Sequence, residues 1–463
     1  MGVRTIAAAT AGRSLRLASR LARRGGGTSI GGLATVWIDR DYVPAQLNGL
    51  ASLALITGTN GKTTTTALVT AAVRAAGRRV VTNHTGSNLE RGVAAALLAD
   101  AGWTGKIPRG AAVTGVIEAD EWAFVALYPR LRPTAIVLLN LFRDQLDRYG
   151  EVDRTSSEWG RVLAAHAHGA TLIVNADDPV LVAAARRHRG PVRTFGIDAG
   201  PSRPSLEEWA DVRRCPLCDA RLAYVRVTFA HLGHYHCPSC DLVRPAPDVR
   251  ASAVELQGLS GARVTITSAG EVHSAPTTLP GIYNVYNLLA AVATSEALGV
   301  PLATAAASAS HAGPAFGRAE TIRTPGVDIV VLLVKNPAGA NQTLDVLAGE
   351  TVPYDALVLL NDGIADGRDV SWIWDVDFER LRPRRLTVGG ARAHDLALRL
   401  KYAGVAPTDG GAAVAEGIAA PLDAALARAN GRLVVLATYT AMLALRAECD
   451  RRGWTAPYWR VRR

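Results

Sequence analysis

LALITGTNGKTTTT, residues 53 to 66, is the stretch from which the rest of the chain is read. A short apolar run with the character of a buried strand stops at Thr57, and Gly58-Thr59-Asn60-Gly61-Lys62-Thr63 follows before a helical pattern that runs to about Ala76. Gly58 and Gly61 can adopt backbone angles closed to other residues, so successive N–H groups can turn inward around a polyphosphate at a helix N-terminus. Lys62 adds a point charge toward the β- and γ-phosphates, and the Thr63 hydroxyl is placed to ligate Mg²⁺. The general pattern G-x-x-x-x-G-K-[ST] would put a further glycine at position 56, where Ile56 stands, so this is the shorter G-T-N-G-K-T form. We read Gly58, Thr59, Asn60, Gly61, Lys62, Thr63 and Thr64 as a phosphate-binding loop. The competing reading is an ordinary glycine turn with a surface lysine.

The 463 residues, 49% hydrophobic and 20% charged, suffice for two or three domains with sizeable cores. No run of roughly 18 residues is apolar enough to span a bilayer. The net charge of +10 fits a nucleic acid, an anionic membrane face or an acidic substrate, and it is almost all arginine, since the only lysines are Lys62, Lys106, Lys335 and Lys401. Four of the five cysteines form two Cys-x-x-Cys pairs, which argues against a secreted disulfide scaffold and for a reducing cytoplasm.

Residues 1–46 form a basic N-terminal segment. Arg13, Arg16, Arg20 and Arg23 or Arg24 recur three and four apart, so a helix there lines them along one face beside Leu17 and Leu21. Such a helix can pack on the main body, touch an anionic membrane surface, or belong to an organelle transit peptide. From Leu53 to Phe195, apolar runs at 53–57, 80–82, 113–118, 135–139 and 171–174 alternate with helix-length segments. That order predicts a mostly parallel α/β sheet with ligands at the strand C-termini. The third run ends in Glu118-Ala119-Asp120-Glu121, where Glu118 can hold Mg²⁺ directly or through water; an acidic helix start is the alternative.

Four segments together carry a resemblance: the G-T-N-G-K-T-T-T loop, the strand ending in Glu118, Asn140-Leu-Phe-Arg-Asp-Gln-Leu-Asp-Arg-Tyr-Gly150, and Asn175-Ala-Asp-Asp-Pro179. They resemble the Mur ligase family, ATP-dependent enzymes that build the peptidoglycan stem peptide and include the folylpolyglutamate synthases. The resemblance implies ATP and Mg²⁺, and it places Asp144 and Asp147 near metal and substrate. Residues 278–298, TLPGIYNVYNLLAAVATSEAL, resemble the family segment whose asparagine approaches adenine; Asn287 is the matching choice and Asn284 the next, with helix capping by Asn284 as the alternative. Gly317-Arg318-Ala319-Glu320 matches the family's entrance to a C-terminal domain, with Arg318 reaching the nucleotide. Leu332 stands where the family's ribose-binding aspartate falls, which leaves Lys335 or Asn336 for that contact. The implied architecture is a central phosphate-loop domain over 47–315 and a Rossmann-like α/β domain over 316–463.

Amino-acid-adding Mur ligases usually carry a carbamylated lysine after the N-L-x-R-D-Q-L-D segment, and no lysine occurs here between Lys106 and Lys335. Cys215-Pro-Leu-Cys218 and Cys237-Pro-Ser-Cys240 flank a hairpin-like stretch and read as one structural zinc ribbon, an insertion at about 213–242, rather than two redox pairs. His231, His234 and His236 read as surface residues and Cys449 as a packing residue.

Residues 359–378, LLNDGIADGRDVSWIWDVDF, together with the ribbon and K-N-P-x-G-A-N-Q, resemble the branch of Mur-ligase-like subunits of lipid II isoglutaminyl synthase. That resemblance implies a heterodimer with a class I-type, GatD-like glutaminase that supplies ammonia, and ATP-dependent amidation of a D-glutamate carboxylate in lipid II through an acyl phosphate. It makes Asp362 the residue completing the partner's catalytic triad, although turn chemistry and helix capping account for several of Asp362, Asp366, Asp369, Asp375 and Asp377. Trp372 and Trp374 read as packing or subunit-interface anchors. It also implies a cytoplasmic protein working near the inner membrane face. Two other classes stay open: a single-chain amino-acid ligase of the Mur or folylpolyglutamate synthase type, and a zinc-ribbon NTPase acting on nucleic acid, although no interleaved aromatic and basic module is present.

Overall fold

Residues 3–21, 28–83, 88–107, 113–143, 152–166, 169–207, 210–311, 318–405 and 414–455 are described by a computed structural model. Three helices open it, α1 (Val3–Leu21), α2 (Thr28–Ile38) and α3 (Tyr42–Leu47). An α/β succession follows: β1 (Ser52–Thr57), α4 (Lys62–Ala75), β2 (Arg79–Thr82), α5 (Glu90–Asp100), β3 (Val113–Glu118), α6 (Glu121–Leu127), β4 (Ala135–Leu138), α7 (Val152–Ala165), β5 (Thr171–Asn175), α8 (Pro179–Ala185) and β6 (Val192–Ile197). A hairpin, β7 (Ala223–Phe229) and β8 (Leu232–His236), leads to β9 (Val249–Leu256), β10 (Ala262–Ser268) and β11 (Glu271–Thr277), then α9 (Ile282–Ala297) and α10 (Leu302–Ser308).

The main sheet has the order β11-β10-β9-β6-β5-β4-β1-β3-β2. From β2 to β9 every pairing is parallel, which matches the expected sheet. The antiparallel edge of β9, β10 and β11 has no counterpart in the sequence reading, because β9 and β11 alternate inward and outward over only part of their length and the edge follows the cysteine-rich insertion. All six residues of β3 and the last five of β1 are buried, so these strands read as unbroken apolar runs rather than as alternation. Each large aliphatic side chain buried there is worth about 1.5–3 kcal/mol, and helices on both faces collect it. β1 lies between β3 and β4, and the chain order reverses there, so the loop after β1 opens at a topological switch point.

A second sheet, ordered β12-β13-β16-β14-β15, contains β12 (Arg318–Arg323), β13 (Val327–Leu333), β14 (Asp355–Leu359), β15 (Leu386–Gly389) and β16 (Gly431–Ala437). Only the β12 to β13 pairing is antiparallel. Its helices are α11 (Pro337–Ala348), α12 (Ala393–Tyr402), α13 (Ala419–Leu426) and α14 (Tyr439–Arg451). Cys449 is fully buried on α14, as a packing residue would be. The boundary expected between 315 and 316 falls outside the described residues.

Of the N-terminal arginines, Arg13 leaves the outward face that their spacing suggests, whereas the Arg20 side chain and Arg23 and Arg24 lie outside the described residues. Arg13 is half-buried, and its guanidinium donates to the carbonyls of Ala101 (2.8 Å) and Gly102 (2.9 Å), closing off the end of α5. Short sequences decide other helix starts. Asp178, from Asn175-Ala-Asp-Asp-Pro179, accepts from the N–H groups of Val180 and Leu181 while Pro179 occupies the first turn of α8.

Its neighbour Asp177 has a different task. Fully buried, it accepts from Arg244 (2.6 Å), the Tyr286 hydroxyl (2.6 Å) and the Ile197 N–H (3.0 Å), tying the ribbon's exit, α9 and β6 together. Burial pushes the Asp177 carboxyl above its ordinary value while Arg244 and Tyr286 pull it back. Replacing Arg244 with methionine removes the only cation bonded to that carboxyl among the described residues and should destabilise the protein by about 3–5 kcal/mol. The folded carboxyl then holds its proton above the unfolded value of about 4, so the deficit should widen as pH rises from there toward neutrality. Urea unfolding at acid and neutral pH checks this; a pH-independent deficit would reduce Arg244 to a packing residue.

Candidate active site

The loop after β1 takes its shape from two glycines and one asparagine. Gly61, at φ 88°, sits directly before α4, and a Cβ there would lie 2.0 Å from Asn287 Oδ1, so both conformation and space demand glycine. Gly58 has φ 147°, with Leu139 and Asn140 packed against it. Asn140, two residues past β4, clamps the loop: its carbonyl accepts from the Thr59 N–H (3.0 Å), its Oδ1 from the Asn60 N–H (2.9 Å), and its Nδ2 donates to the Asn60 carbonyl (3.1 Å). The Thr59 hydroxyl adds a reciprocal pair with the Phe142 backbone. Sequence reading attended to the aspartates of this segment and missed Asn140; the available signal was a polar residue ending a buried strand beside the loop.

Lys62 is buried and folded back along its own loop. Its ammonium donates to the carbonyls of Gly58 and Thr59 and pairs with the buried Glu121 carboxylate at 3.2 Å. Glu121, which the sequence reading assigned no role, opens α6 behind the Asp120 cap, whose side chain accepts from the Trp122 N–H. Glu118 is buried at the end of β3, with its N–H and carbonyl held by Asn83 at 3.0 and 2.8 Å. Thr63 stays partly exposed on the first turn of α4, whereas Thr64 is buried. A glycine-lined turn of backbone amides, a lysine inside it, a threonine hydroxyl at its mouth and a carboxylate at the adjacent strand end form a donor set that fits a nucleotide polyphosphate with a hard cation. Asp144 and Asp147 lie outside the described residues.

Asn287 is buried against Gly61; its amide donates to Asn284 Oδ1 (3.0 Å) and its oxygen meets the Thr65 hydroxyl at 3.5 Å. Asn284 does not cap α9. Gly281 occupies that position, and the Asn284 amide donates to the Pro280 carbonyl (2.7 Å). Across the cleft, Asn336 caps α11 through Gly339 N–H (2.8 Å), and its side chain pairs with that of Asn60 at 3.2 and 3.4 Å. The phosphate loop therefore touches the second sheet's first helix. Lys335, half-exposed, immediately precedes this cap, and the Arg318 side chain lies outside the described residues. Arg143 Nη2 to Asp375 (2.9 Å), Arg203 to Asp345 (2.7 Å) and Arg380 to Glu207 (3.0 Å) bind the same two units together.

The structure separates the five aspartates after β14. Asp366 is buried and accepts from the N–H and hydroxyl of Thr440 and from the Gly363 N–H, and burial raises its pKa. Asp369 accepts from the Ser371 N–H (2.8 Å), Asp375 holds Arg143, and Asp377 pairs with Arg380 (3.0 Å). Asp362 is half-exposed, with Arg392 at 3.3 Å. Trp374 is half-exposed too, beside Arg399 and Tyr402 at 5.7 Å from each.

Residues 56–214 match the family model of the Mur ligase middle domain, and residues 333–442 that of the MurT ligase C-terminal region. The chain is 31% identical to the MurT subunit of lipid II isoglutaminyl synthase (glutamine-hydrolyzing) from Streptococcus pneumoniae, over 96% of its own length and 97% of that protein. The chain belongs to the MurT family. The corresponding Staphylococcus aureus MurT subunit is 30% identical, over 84% of this chain and 86% of the other. The fold is that of a solved pseudomurein peptide ligase type C from Methanothermus fervidus, at TM-score 0.64, 20% identity, and coverage of 87% of this chain and 79% of that one. As a MurT-family chain it is an ATP-dependent ligase.

In this MurT-family chain the β7–β8 hairpin brings Cys215, Cys218, Cys237 and Cys240 together, their sulfurs all within 4.8 Å of one another. Cys215 and Cys240 sulfurs are 3.5 Å apart, and those of Cys218 and Cys237 3.4 Å, whereas zinc at about 2.3 Å from four tetrahedral sulfurs sets them roughly 3.8 Å apart. Leu217 and Ser239 N–H groups point at Cys215 and Cys237 sulfurs (3.4 Å each), the support a thiolate needs. The set fits a closed four-sulfur site. His231 overturns its surface assignment: it is fully buried, its ring tilted against Phe142 (centroids 4.9 Å apart) and 3.6 Å from Asp178, because the tight turn after β7 folds it under the hairpin. His234 is half-buried and bonds the Ile197 carbonyl (2.9 Å), and His236 is exposed.

Proposed function

We propose that this chain is the synthase subunit of a lipid II isoglutaminyl synthase, amidating the α-carboxylate of D-glutamate in the stem peptide to D-isoglutamine. The observation that carries the reading is end-to-end similarity to a MurT subunit, over 96% of the chain. In this reaction the substrate carboxylate oxygen attacks the γ-phosphorus of ATP, releasing ADP and leaving an acyl phosphate. Ammonia then adds to the acyl carbon, phosphate departs, and a proton is lost from nitrogen. Gly58 to Thr64 would hold the polyphosphate and Lys62 would neutralise charge on the transferring group. Thr63 and Glu118 would hold Mg²⁺, which supplies further charge neutralisation; Asp144 is the proposed catalytic partner from the following segment, and Asn287, Arg318 and Lys335 the remaining nucleotide contacts. The four cysteines would hold a structural Zn²⁺.

Glutamine hydrolysis is assigned to a GatD-like glutaminase in a heterodimer, and Asp362 is its proposed contact from this chain. A carboxylate that is half-exposed and held by one arginine can turn to orient a partner's histidine, whereas Asp366 is fixed in its own turn. Asp362→Asn should lower glutamine hydrolysis in the complex by at least about tenfold, leaving ATP binding by this chain unchanged; unaltered hydrolysis would remove Asp362 from the partner's machinery. The lipid-linked substrate would put the complex at the cytoplasmic face of the membrane.

Co-expression with a GatD-like glutaminase and mass measurement of lipid II tests the whole reading. Each amidated stem should be lighter by the difference between OH and NH₂. An active, associated complex that leaves the mass unchanged would contradict it, and ligation of an amino acid by this chain alone would favour the single-chain alternative.

A further inference from the structure

We propose that the outward face of the two N-terminal helices is a docking surface for an anionic lipid bilayer. Residues 1–38 contain Arg4, Arg13, Arg16, Arg20, Arg23 and Arg24 and neither aspartate nor glutamate. Within them α1 and α2 reverse the usual order of an amphipathic helix. Their inward faces are small: Ala8, Ala9 and Gly12 on α1, and Gly31, Gly32 and Thr35 on α2, are buried. A Cβ on Gly31 would lie 2.6 Å from the Gly12 carbonyl, and one on Gly32 would lie 1.7 Å from the Arg91 carbonyl, so close approach of the backbones fixes this side.

The large apolar side chains point outward instead. Ile30, Leu33 and Trp37 recur at i, i+3 and i+7 and form one exposed stripe on α2; Val3, Ile6 and Leu17 do the same on α1. Val3 is 85% and Trp37 81% exposed. Among the described residues no packing accounts for these side chains, since α1 and α2 pack on each other and on α5 through the opposite faces. Among the described residues no helix is long and apolar enough to cross a membrane, so the surface would lie on a bilayer rather than in it. Exposed apolar stripes on a segment whose first 38 residues carry six arginines and no acidic residue complement anionic headgroups above an acyl layer, with tryptophan at the boundary between them. The surface would suit a lipid-linked substrate, but it stands without the ligase reading, since none of its residues belongs to the nucleotide site.

The test is flotation of the full-length protein, with its glutaminase, on vesicles of phosphatidylcholine alone or with about 30% phosphatidylglycerol. Binding is expected to the anionic vesicles only, and to be released by about 0.5 M salt. The triple variant Ile30→Ser, Leu33→Ser, Trp37→Ser should cut vesicle binding about tenfold or more while its melting temperature holds. Val225→Ser, at an exposed position on β7, should change nothing. Amidation of detergent-dispersed substrate should survive the triple variant, which separates this proposal from failure of the ligase reading. Absence of flotation, equal binding by the triple variant, or loss of the glutaminase or of a self-associated form with vesicle binding intact would overturn it, the last by making the stripe a protein interface.

Discussion

Replacing Lys62 with alanine should abolish amidation, with turnover falling by about 10²–10³-fold or more, the usual result of deleting a group aimed at charge that develops in the transition state. The fold complicates that experiment in a way the loop motif alone does not reveal. Lys62 and Glu121 are both buried and paired at 3.2 Å, so the variant also leaves a buried carboxylate without its cation. Stripping one partner from such a pair costs about 3–5 kcal/mol, enough to lower the melting temperature visibly. The double variant Lys62→Ala, Glu121→Gln should therefore regain much of the stability and none of the turnover. If it regained turnover, the lysine would be a structural partner of Glu121 and the phosphate-loop assignment would fail. The subunits should stay associated in both variants, because the aspartate-rich turn proposed to meet the partner follows β14 in the other sheet.

Substituting Cys218 with serine should have the second-largest effect. Loss of one thiolate from a closed four-sulfur site is expected to reduce bound zinc to well below one equivalent and to unfold the ribbon, since such small modules take most of their folding free energy from the metal. The damage should spread beyond the hairpin. Gly233 donates to the Asp177 carbonyl and Arg244 to its carboxylate, so the ribbon is wired into the turn after β5 and, through Asp177, into the end of β6 and α9. Metal analysis, proteolysis at the hairpin and thermal melting, with a strong chelator on the parent protein, provide the check. A metal-free protein that melts like the parent would show that the four thiols are clustered without a metal role.

How much of this was legible in sequence differs by element. Each apolar run of the parallel sheet agrees with its strand to within a residue, because strands buried on both faces leave continuous apolar segments bounded by turn residues. The β9 to β11 edge was not legible: one face meets solvent, and its pairing depends on where the insertion returns the chain. Asn140 and Glu121 were missed as parts of the loop's surroundings, and Asn336 was singled out for a ribose contact and not for its bond to the loop, for a related reason. Each is an ordinary polar residue whose meaning comes from a partner distant in sequence: Asn60 for Asn140 and Asn336, and Lys62 for Glu121. His231 was misplaced because three histidines in a short polar stretch look alike until a hairpin turns one of them under.

By itself, the sequence determined the strand-loop-helix at Ser52 to Ala75, the cysteine pairs and the alternation of strands and helices, since these depend on local residue identity and period. Tertiary structure alone decided that Lys62 pairs with Glu121, that Asn140 from the first sheet and Asn336 from the second unit both bond Asn60, and that of five neighbouring aspartates Asp366 is fixed in its turn while Asp362 stays half-exposed beside one arginine. The physical reason is the same in each case. A backbone turn or a repeat of apolar residues is set within a few positions of chain, whereas burial and the partner of a charge depend on which segments the sheets bring side by side.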